Sequence, residues 1–501
     1  MRRVALAALV IAVVIAGVRW GTFVAGGSDS YCYLYQAERW ASGRLQVPEP
    51  LALEAPWPDA PLTFAPAGHR PSPTVSGANV PICPSGLSVA MAPFVALGGI
   101  RAAFFVIPLF GALLIGSTYV AGSRFGPRIG MASALVAACN PIFLFQLMQP
   151  MSDVAAAALW MLAVAAVTGT RPRAAIACGA AAAAAILMRP NLFPLAIPLA
   201  AFLYWRPERS RQTRTRAFLA FSACVCAGCL AVALIQRAFY GSVFSSGYGS
   251  LEALFGADHI VPNSSRYLTW LSNTLTPAWI VAATAPFLLP GPLTLLSAAL
   301  IVTNAACYLP YVVFDDWSYI RFVLPTIPLL VILTIAAIDA ACRRIAPRFA
   351  RTVVIGTAVV LAALGVREAR ARNVFGLEGL EARYERAGDY VARRLPENAL
   401  IITSWQSGSV RFYSGRLTLV WDVLDPRWLD RAVEYLRGRG LEPYLLFESW
   451  EEPLFRQRFP SSTLGALDWP PAAESPRVRI YRPADRERYL SRGHADTDYF
   501  R

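Results

Sequence analysis

The sequence predicts a polytopic α-helical membrane protein of about eleven spans with a C-terminal α/β domain, and three observations lead there. Hydrophobic residues fill 56% of the 501 positions and charged residues only 16%, too little polar surface for one water-soluble globule. The 46 basic residues are all arginine and the formal net charge is +14. They stand in short clusters between apolar runs, as cytoplasmic loops do under the positive-inside rule, and not in the single patch that nucleic acid requires. After residue 367 the composition becomes that of a soluble domain.

Arg2 and Arg3 precede the apolar run 4–20. A secretory signal has similar charge and length, but no convincing small-residue cleavage site follows and many further runs do. The stretch therefore reads as an uncleaved first helix with its N-terminus inside. Residues 21–102 are expected to form the first external loop: to about residue 82 proline, tryptophan and charge are frequent, and such backbone would go unsatisfied in hydrocarbon. Within it, 31–42 has helical spacing and should lie on the membrane surface. The patch 86–97, short and containing Pro93, should lie there too.

The arginines set the direction of the remaining spans. Run 103–123 goes inward to Arg124 and Arg128, 129–147 outward, and 154–168 inward to Arg171 and Arg173. Run 174–188 goes out and 192–205 returns to the densest cluster, Arg206, Arg209, Arg211, Arg214 and Arg216. Run 217–236 leads outward to a second external loop with a surface helix at 264–274. Runs 278–289, 293–311 and 322–341 follow, the last reaching Arg343, Arg344, Arg348 and Arg351 inside, and 352–366 leaves the remainder outside. Several runs are shorter than the roughly 20 residues that a straight span needs.

The chain thus divides into a membrane domain, 1–367, and an extracytoplasmic α/β domain, 368–501. In the latter a helix at 377–394 leads to a strand at 399–403, the segment QSGSVRFYSGR and a strand at 417–421. Asp425 and Pro426 suit the N-cap and first turn of a helix reaching Arg439. Strands at 443–447 and 478–481 complete a layer expected to be mostly parallel. A glycine-rich dinucleotide signature is absent.

Of nine cysteines, most fall inside apolar runs and read as small packing residues. Cys32 and Cys83 both fall in the first external loop, where an oxidising compartment permits a bridge.

Chemistry-bearing residues gather at the expected outer face. Asp29, in GGSDSYCYLYQAERWASGR, stands just past the first helix, a position that suits a catalytic base. Asp153, in QPMSDV, opens a helix; it either caps that helix or serves a pocket. Outer-face arginines run against the positive-inside trend. Arg189, in MRPN, and Arg321, in FDDWSYIRFVLP, can pair bidentately with a lipid phosphate. The plainer readings are attraction to ordinary head groups, or an ion pair of Arg321 with Asp315 or Asp316. Tyr31, Tyr33, His69, Tyr248 and Asp316 are candidates to line a substrate pocket. The run GSVFSSGYGS suits a loop but is no Walker motif. His69 and His259 lack the close ligand spacing that metal binding calls for.

Taken together, the first helix with SDSYCYLYQAERWASGR, the loop continuing to PSGLSVAMAPFVALGG, NPIFLFQLMQPMSDV, MRPN and WSYIRFVLPTIPLL resemble the GT-C superfamily of integral membrane glycosyltransferases. The branch is similar to protein O-mannosyltransferases and lipid A aminoarabinose transferases, a family 39-like group. The resemblance implies an inverting enzyme that moves a sugar from a polyprenyl-phosphate donor to a hydroxyl acceptor, glycan, lipid or protein, at the outer face of a bacterial inner membrane. It maps the external-loop aspartate onto Asp29, a second acidic position onto Asp153 and a donor-phosphate arginine onto Arg321. Some relatives carry two adjacent acids in the first loop, whereas Ser30 follows Asp29 here, which weakens the case for a bridged metal. No cofactor is required by this reading, and ligand spacing gives a divalent metal no support. Its partners are the lipid-linked donor, the acceptor and membrane lipid, not nucleic acid. A transporter or flippase of polyprenyl-linked lipid is the alternative. It would be favoured by internal repeats or charged midplane helices, and neither is evident. A ligand sensor would need fewer spans.

Overall fold

A computed structural model describes residues 2–169, 173–205, 210–493 and 496–500. Arg171, Arg206 and Arg209, three of the arginines that set the expected topology, lie outside the described residues. The chain forms two compact units: Met1–Gly21 with Pro84–Gln236 and Gly249–Leu377, and Thr22–Cys83 with Arg237–Tyr248 and Glu378–Arg501.

The first unit is helical and is that of a multi-pass membrane protein. By length and composition, four helices among the described residues suit a membrane crossing: Ile100–Gly122, Arg211–Tyr240, Trp317–Ile345 and Ala350–Ala371. The pair Pro127–Ala138 and Pro141–Leu147, bent by 61°, makes a fifth if it counts as one span. The bend has a local cause. Pro141 supplies no N–H, and Asn140 restarts the helix by accepting from the amides of Ile142 and Phe143 at 3.1 and 3.3 Å. Gly365 fits against this break, since a Cβ there would come within 2.3 Å of the Cys139 carbonyl oxygen.

Shorter apolar helices occupy the short runs, among them Ser85–Gly98, Ser152–Val167, Ala174–Met188 and Pro292–Tyr308. The run expected at 278–289 is a 3-10 helix, Pro277–Thr284, followed by one α-turn, Ala285–Leu288. Pro277, Pro286 and Pro290 withhold the N–H groups that a continuous α-helix needs there. Small residues let helices approach: a Cβ on Gly179 would meet Cys224 and Phe221, and one on Gly228 would meet Ala183. The apolar stretch of Trp317–Ile345 is almost wholly buried, while that of Arg211–Tyr240 is almost wholly exposed. The former is a core helix; the latter presents Leu219, Leu230 and Leu234 outward, as lipid contact requires.

Among the described residues, the strands all lie in the second unit. In the loop, β1 (Val47–Pro48), β2 (His69–Pro71) and β3 (Ala78–Pro81) form an antiparallel sheet of order β1-β3-β2. Beyond residue 398 come β4 (Ala399–Ile402), β5 (Leu417–Leu419), β6 (Glu442–Glu448), β7 (Ala473–Glu474), β8 (Val478–Tyr481) and β9 (Asp498–Tyr499), in the order β5-β4-β6-β8-β7-β9. Pairs β4/β5, β4/β6 and β7/β9 are parallel, while β6/β8 and β7/β8 are antiparallel. Three of the five pairs are thus parallel, as a mostly parallel layer requires, and the sheet is mixed because β8 runs antiparallel to both its neighbours. After β6 the chain runs through the helix Glu451–Arg458 and returns to β8 from the far end. Within QSGSVRFYSGR a helix, Ser407–Ser414, was not anticipated; it ends on Gly415, whose φ of 68° is the left-handed conformation glycine adopts freely.

Successive residues of β4 alternate between two cores. Leu400 and Ile402 pack with Leu445 and Phe447 and, from the loop, with Trp57 and Phe64. Ile401 packs with Leu446, Val410 and Val391. The loop is thus part of this domain's core, and the backbone amide of Val420 donates to the Thr63 carbonyl at 2.7 Å. The helix Asp29–Ser42 is tied to the loop's end by a disulfide between Cys32 and Cys83.

Candidate active site

In the helical unit the chain itself dictates where Arg189 stands. Pro190 disfavours helical geometry in the residue before it. The helix Ala174–Met188 stops there, and Arg189 takes an extended backbone with φ −144°. From this break its guanidinium reaches two other elements. Nη2 donates to Asp153 Oδ1 at 2.7 Å, and Nη1 donates to the Tyr308 hydroxyl at 3.0 Å. Asp153 lies in the first turn of Ser152–Val167 and is buried. The helix has no side-chain cap, and Oδ2 of Asp153 has no hydrogen-bond partner among the described residues. Pairing with Arg189, not capping, is what this carboxylate does.

Arg321 lies on the 3-10 helix Trp317–Thr326, which Asp316 caps by accepting from the Ser318 amide at 2.8 Å. Asp315 pairs with Arg266. Nη1 of Arg321 lies 3.5 Å from Met151 Sδ, and its guanidinium is 5.0 Å from the Tyr319 ring centroid and 5.5 Å from that of Phe322. The same Phe322 ring carries Arg189 at 5.3 Å and stacks on Tyr308 at 4.8 Å, nearly parallel. Phe322 thus gathers both arginines, and through Arg189 it gathers Asp153. Asn263 fixes the adjoining turn, its side-chain amide donating to the carbonyls of Leu309 and Tyr311 at 3.0 and 2.6 Å. Two guanidiniums on aromatic faces carry donors in the fork geometry that suits a phosphate. Tyr308, Phe322, Met151 and Asn263 were not read from the sequence. They sit in apolar or loop stretches with no spacing that links them.

The other candidates belong to the second unit. Asp29 is half-buried in the first turn of Asp29–Ser42, and Ser28 Oγ lies 3.5 Å from its Oδ1. Tyr31 and Tyr33 are buried on the same helix. Tyr31 stacks against Tyr35 at 5.4 Å and His69 at 5.3 Å, its hydroxyl and His69 Nδ1 both buried without a partner among the described residues. Burial pushes the Tyr31 hydroxyl well above the usual phenol range. Burial first, then the charges of Arg411 and Arg39, pulls the His69 imidazole down to about 3. Arg411 is itself paired with the buried Glu49. Tyr248 is exposed, in a loop whose Ser246 carbonyl accepts from Arg70 at 3.4 Å. In the first unit, His259 directs Nδ1 to the Pro310 carbonyl at 3.1 Å. Among the described residues no three His, Cys, Asp or Glu side chains converge as metal ligands.

Comparison with known proteins bears on the fold. The sequence model of the family described as dolichyl-phosphate-mannose-protein mannosyltransferase matches residues 89–235. Among curated proteins no sequence matches. ArnT from Cupriavidus metallidurans in the apo state superposes with a TM-score of 0.60 at 14% identity, covering 92% of this chain and 94% of that one. Its complex with undecaprenyl phosphate gives 0.59 at 13% identity, over 91% and 94%. The oligosaccharyltransferase AglB of Archaeoglobus fulgidus, in complex with an inhibitory peptide and a dolichol-phosphate, gives 0.55 at 10% identity, over 92% and 71%. Over about nine-tenths of its length the chain thus has the GT-C fold, and it is similar to the protein mannosyltransferase and ArnT branch of that superfamily.

Proposed function

We propose that this protein is an inverting glycosyltransferase that moves a hexosyl or pentosyl group from a polyprenyl-phosphate donor to a hydroxyl acceptor. In this reading the chain crosses the bacterial inner membrane about eleven times, the shorter helices included, with its N-terminus cytoplasmic and the α/β unit outside. The observation that carries the proposal is the gathering of Asp153, Arg189 and Arg321 around Phe322, on a fold whose neighbours include complexes with undecaprenyl phosphate and dolichol-phosphate.

The chemistry assigns one task to each group. Asp29 accepts the proton of the acceptor hydroxyl as its oxygen bonds to the anomeric carbon. The bond from that carbon to the phosphate oxygen breaks on the opposite face, and prenyl phosphate leaves with the electron pair. Arg321 and Arg189 balance the charge growing on that phosphate, and Asp153 holds Arg189 in place. The prenyl tail lies between helices and positions the reacting carbon.

The test is single-turnover transfer from a panel of polyprenyl-phosphate sugars by wild type and Asp29→Asn in nanodiscs. Release of prenyl phosphate by wild type, with a variant that binds donor but does not release it, supports the proposal. Translocation of the intact donor without cleavage by either protein overturns it in favour of a flippase.

A further inference from the structure

The α/β unit carries a second chemical feature at the carboxyl ends of β4 and β6. From β4 the chain leaves through Ser407–Ser414 to β5 on one side, then returns through Leu429–Gly438 to β6 on the other. That reversal of strand order makes the carboxyl ends of the two parallel strands a topological switch point, the usual ligand position in open α/β sheets. Trp405 follows β4 and Trp450 follows β6. Their rings meet edge to face at 5.8 Å, with 45% and 50% of each residue exposed.

Both indole N–H groups turn into the protein. Trp405 Nε1 donates to the Tyr384 hydroxyl at 2.6 Å, and Trp450 Nε1 donates to Glu448 Oε2 at 3.0 Å. The rings are thereby fixed while their faces stay open. A membrane-interface tryptophan instead offers its N–H to the head groups. Polar groups surround the pair: Glu448 Oε1 accepts from Arg383 at 2.9 Å and Gln406 at 3.1 Å, and Glu451 accepts from the amides of Trp405 and Glu448. Thr403 Oγ1 and Gln406 Oε1, both fully buried at the same strand end, have no hydrogen-bond partner among the described residues.

Exposed aromatic rings match the apolar C–H face of a sugar ring, and the unfilled Thr403 Oγ1 and Gln406 Oε1 at the strand end suit its hydroxyls, which both donate and accept. The same place adjoins Asp29. A Cβ on Gly26 would lie 2.7 Å from Tyr384 Cδ2, and one on Gly27 3.7 Å from the Tyr384 hydroxyl, two residues before Asp29.

We propose that the Trp405 and Trp450 pair is a saccharide-binding platform that seats a sugar acceptor beside Asp29. This deepens the transferase reading and commits its acceptor to a glycan. Binding is measured on the full chain in nanodiscs by saturation-transfer NMR, with methyl mannopyranoside and methyl arabinofuranoside as probes. Wild type should bind at least one probe, Trp405→Ala/Trp450→Ala should bind it at least about tenfold more weakly, and Trp405→Phe/Trp450→Phe should regain most of the loss. Equal binding by wild type and the alanine pair, or none by wild type, overturns the platform. So does brominated-lipid quenching that disappears with the two tryptophans, which would place them in lipid. Saccharide binding without sugar transfer from any donor would retain the platform and remove the transferase reading. Transfer with an acceptor KM unchanged in the alanine pair would do the reverse.

Discussion

Arg189 and Asp153 form a buried ion pair in which Nη2 donates to Oδ1 at 2.7 Å, with 13% of the guanidinium side chain exposed and none of the carboxylate. It joins two helix ends that are 36 residues apart in sequence. Removing one partner strands the other's charge, which typically costs about 3–5 kcal/mol, whereas replacing both by apolar groups of similar volume is often neutral. Asp153→Ala is therefore expected to unfold at a clearly lower temperature in detergent. Asp153→Leu/Arg189→Met should recover most of that loss while staying inactive. An Asp153→Ala protein as stable as wild type would mean that the pair does not anchor these helices.

Arg321 stands among rings and a thioether: Met151 Sδ is 3.5 Å from Nη1, and the Tyr319 and Phe322 ring centroids are 5.0 and 5.5 Å from the guanidinium. Its cation–π contacts contribute about 0.5–2 kcal/mol each, according to how far they are desolvated, so the melting temperature of Arg321→Ala is measured beside its turnover and rates are compared per folded protein. Loss of a group that stabilises developing charge costs about 10²–10³ in turnover. Lysine should restore little, since it presents a point charge without the fork. Single-turnover rates at saturating donor measure this, and a fall of less than about tenfold would remove Arg321 from the leaving-group role.

These two arginines show how much was legible in sequence. Both drew notice because an arginine away from the arginine-rich clusters calls for a reason, and Pro190 accounts for the helix break at which Arg189 stands. What joins them, Phe322 stacked on Tyr308, was not legible: phenylalanine in an apolar run normally reports core, and only the tertiary fold brings residues 153, 189, 308 and 322 together. The helix of the first loop followed from its 3.6-residue spacing and begins at Asp29. That Trp57 and Phe64 of the same loop fill the core below β4 and β6 has no local signal. The direction of β8 was equally hidden, because strand pairing is a long-range choice made after the intervening helix.

The disulfide offers a test that needs no substrate. Cys32 and Cys83 close a loop with a sequence separation of 51, and a native bridge of that kind commonly contributes about 2–4 kcal/mol, largely by restricting the unfolded chain. Cys32→Ser/Cys83→Ser should therefore melt at lower temperature than wild type under non-reducing conditions. Under reducing conditions the two proteins should converge. Free-thiol counting on protein purified without reductant checks the bridge directly, and finding both thiols free would show that the loop resides in a reducing compartment.

His69 gives the α/β unit a pH dependence with a definite sign. Its ring lies against Tyr31 and Tyr35, 5.3 and 5.5 Å away, with Arg411 and Arg39 the charges that act on it and Glu49 paired to Arg411. Burial and those two arginines lower its pKa from 6.5 to about 3. Above pH 6.5 the imidazole is neutral whether the chain is folded or not, and its burial is unopposed. As pH falls from 6.5 toward 3, the unfolded chain takes up a proton that the folded one refuses, so stability is lost through that window. By about pH 4 the loss from this residue is on the order of 3 kcal/mol. His69→Phe retains a ring against the two tyrosines and removes the titrating nitrogen. The variant should therefore lose less stability than wild type between pH 6.5 and 4, the difference read from paired melting curves. Parallel curves over that range would mean that His69 takes up its proton in the folded protein as readily as in the unfolded one, and that the tyrosine stack opens to water.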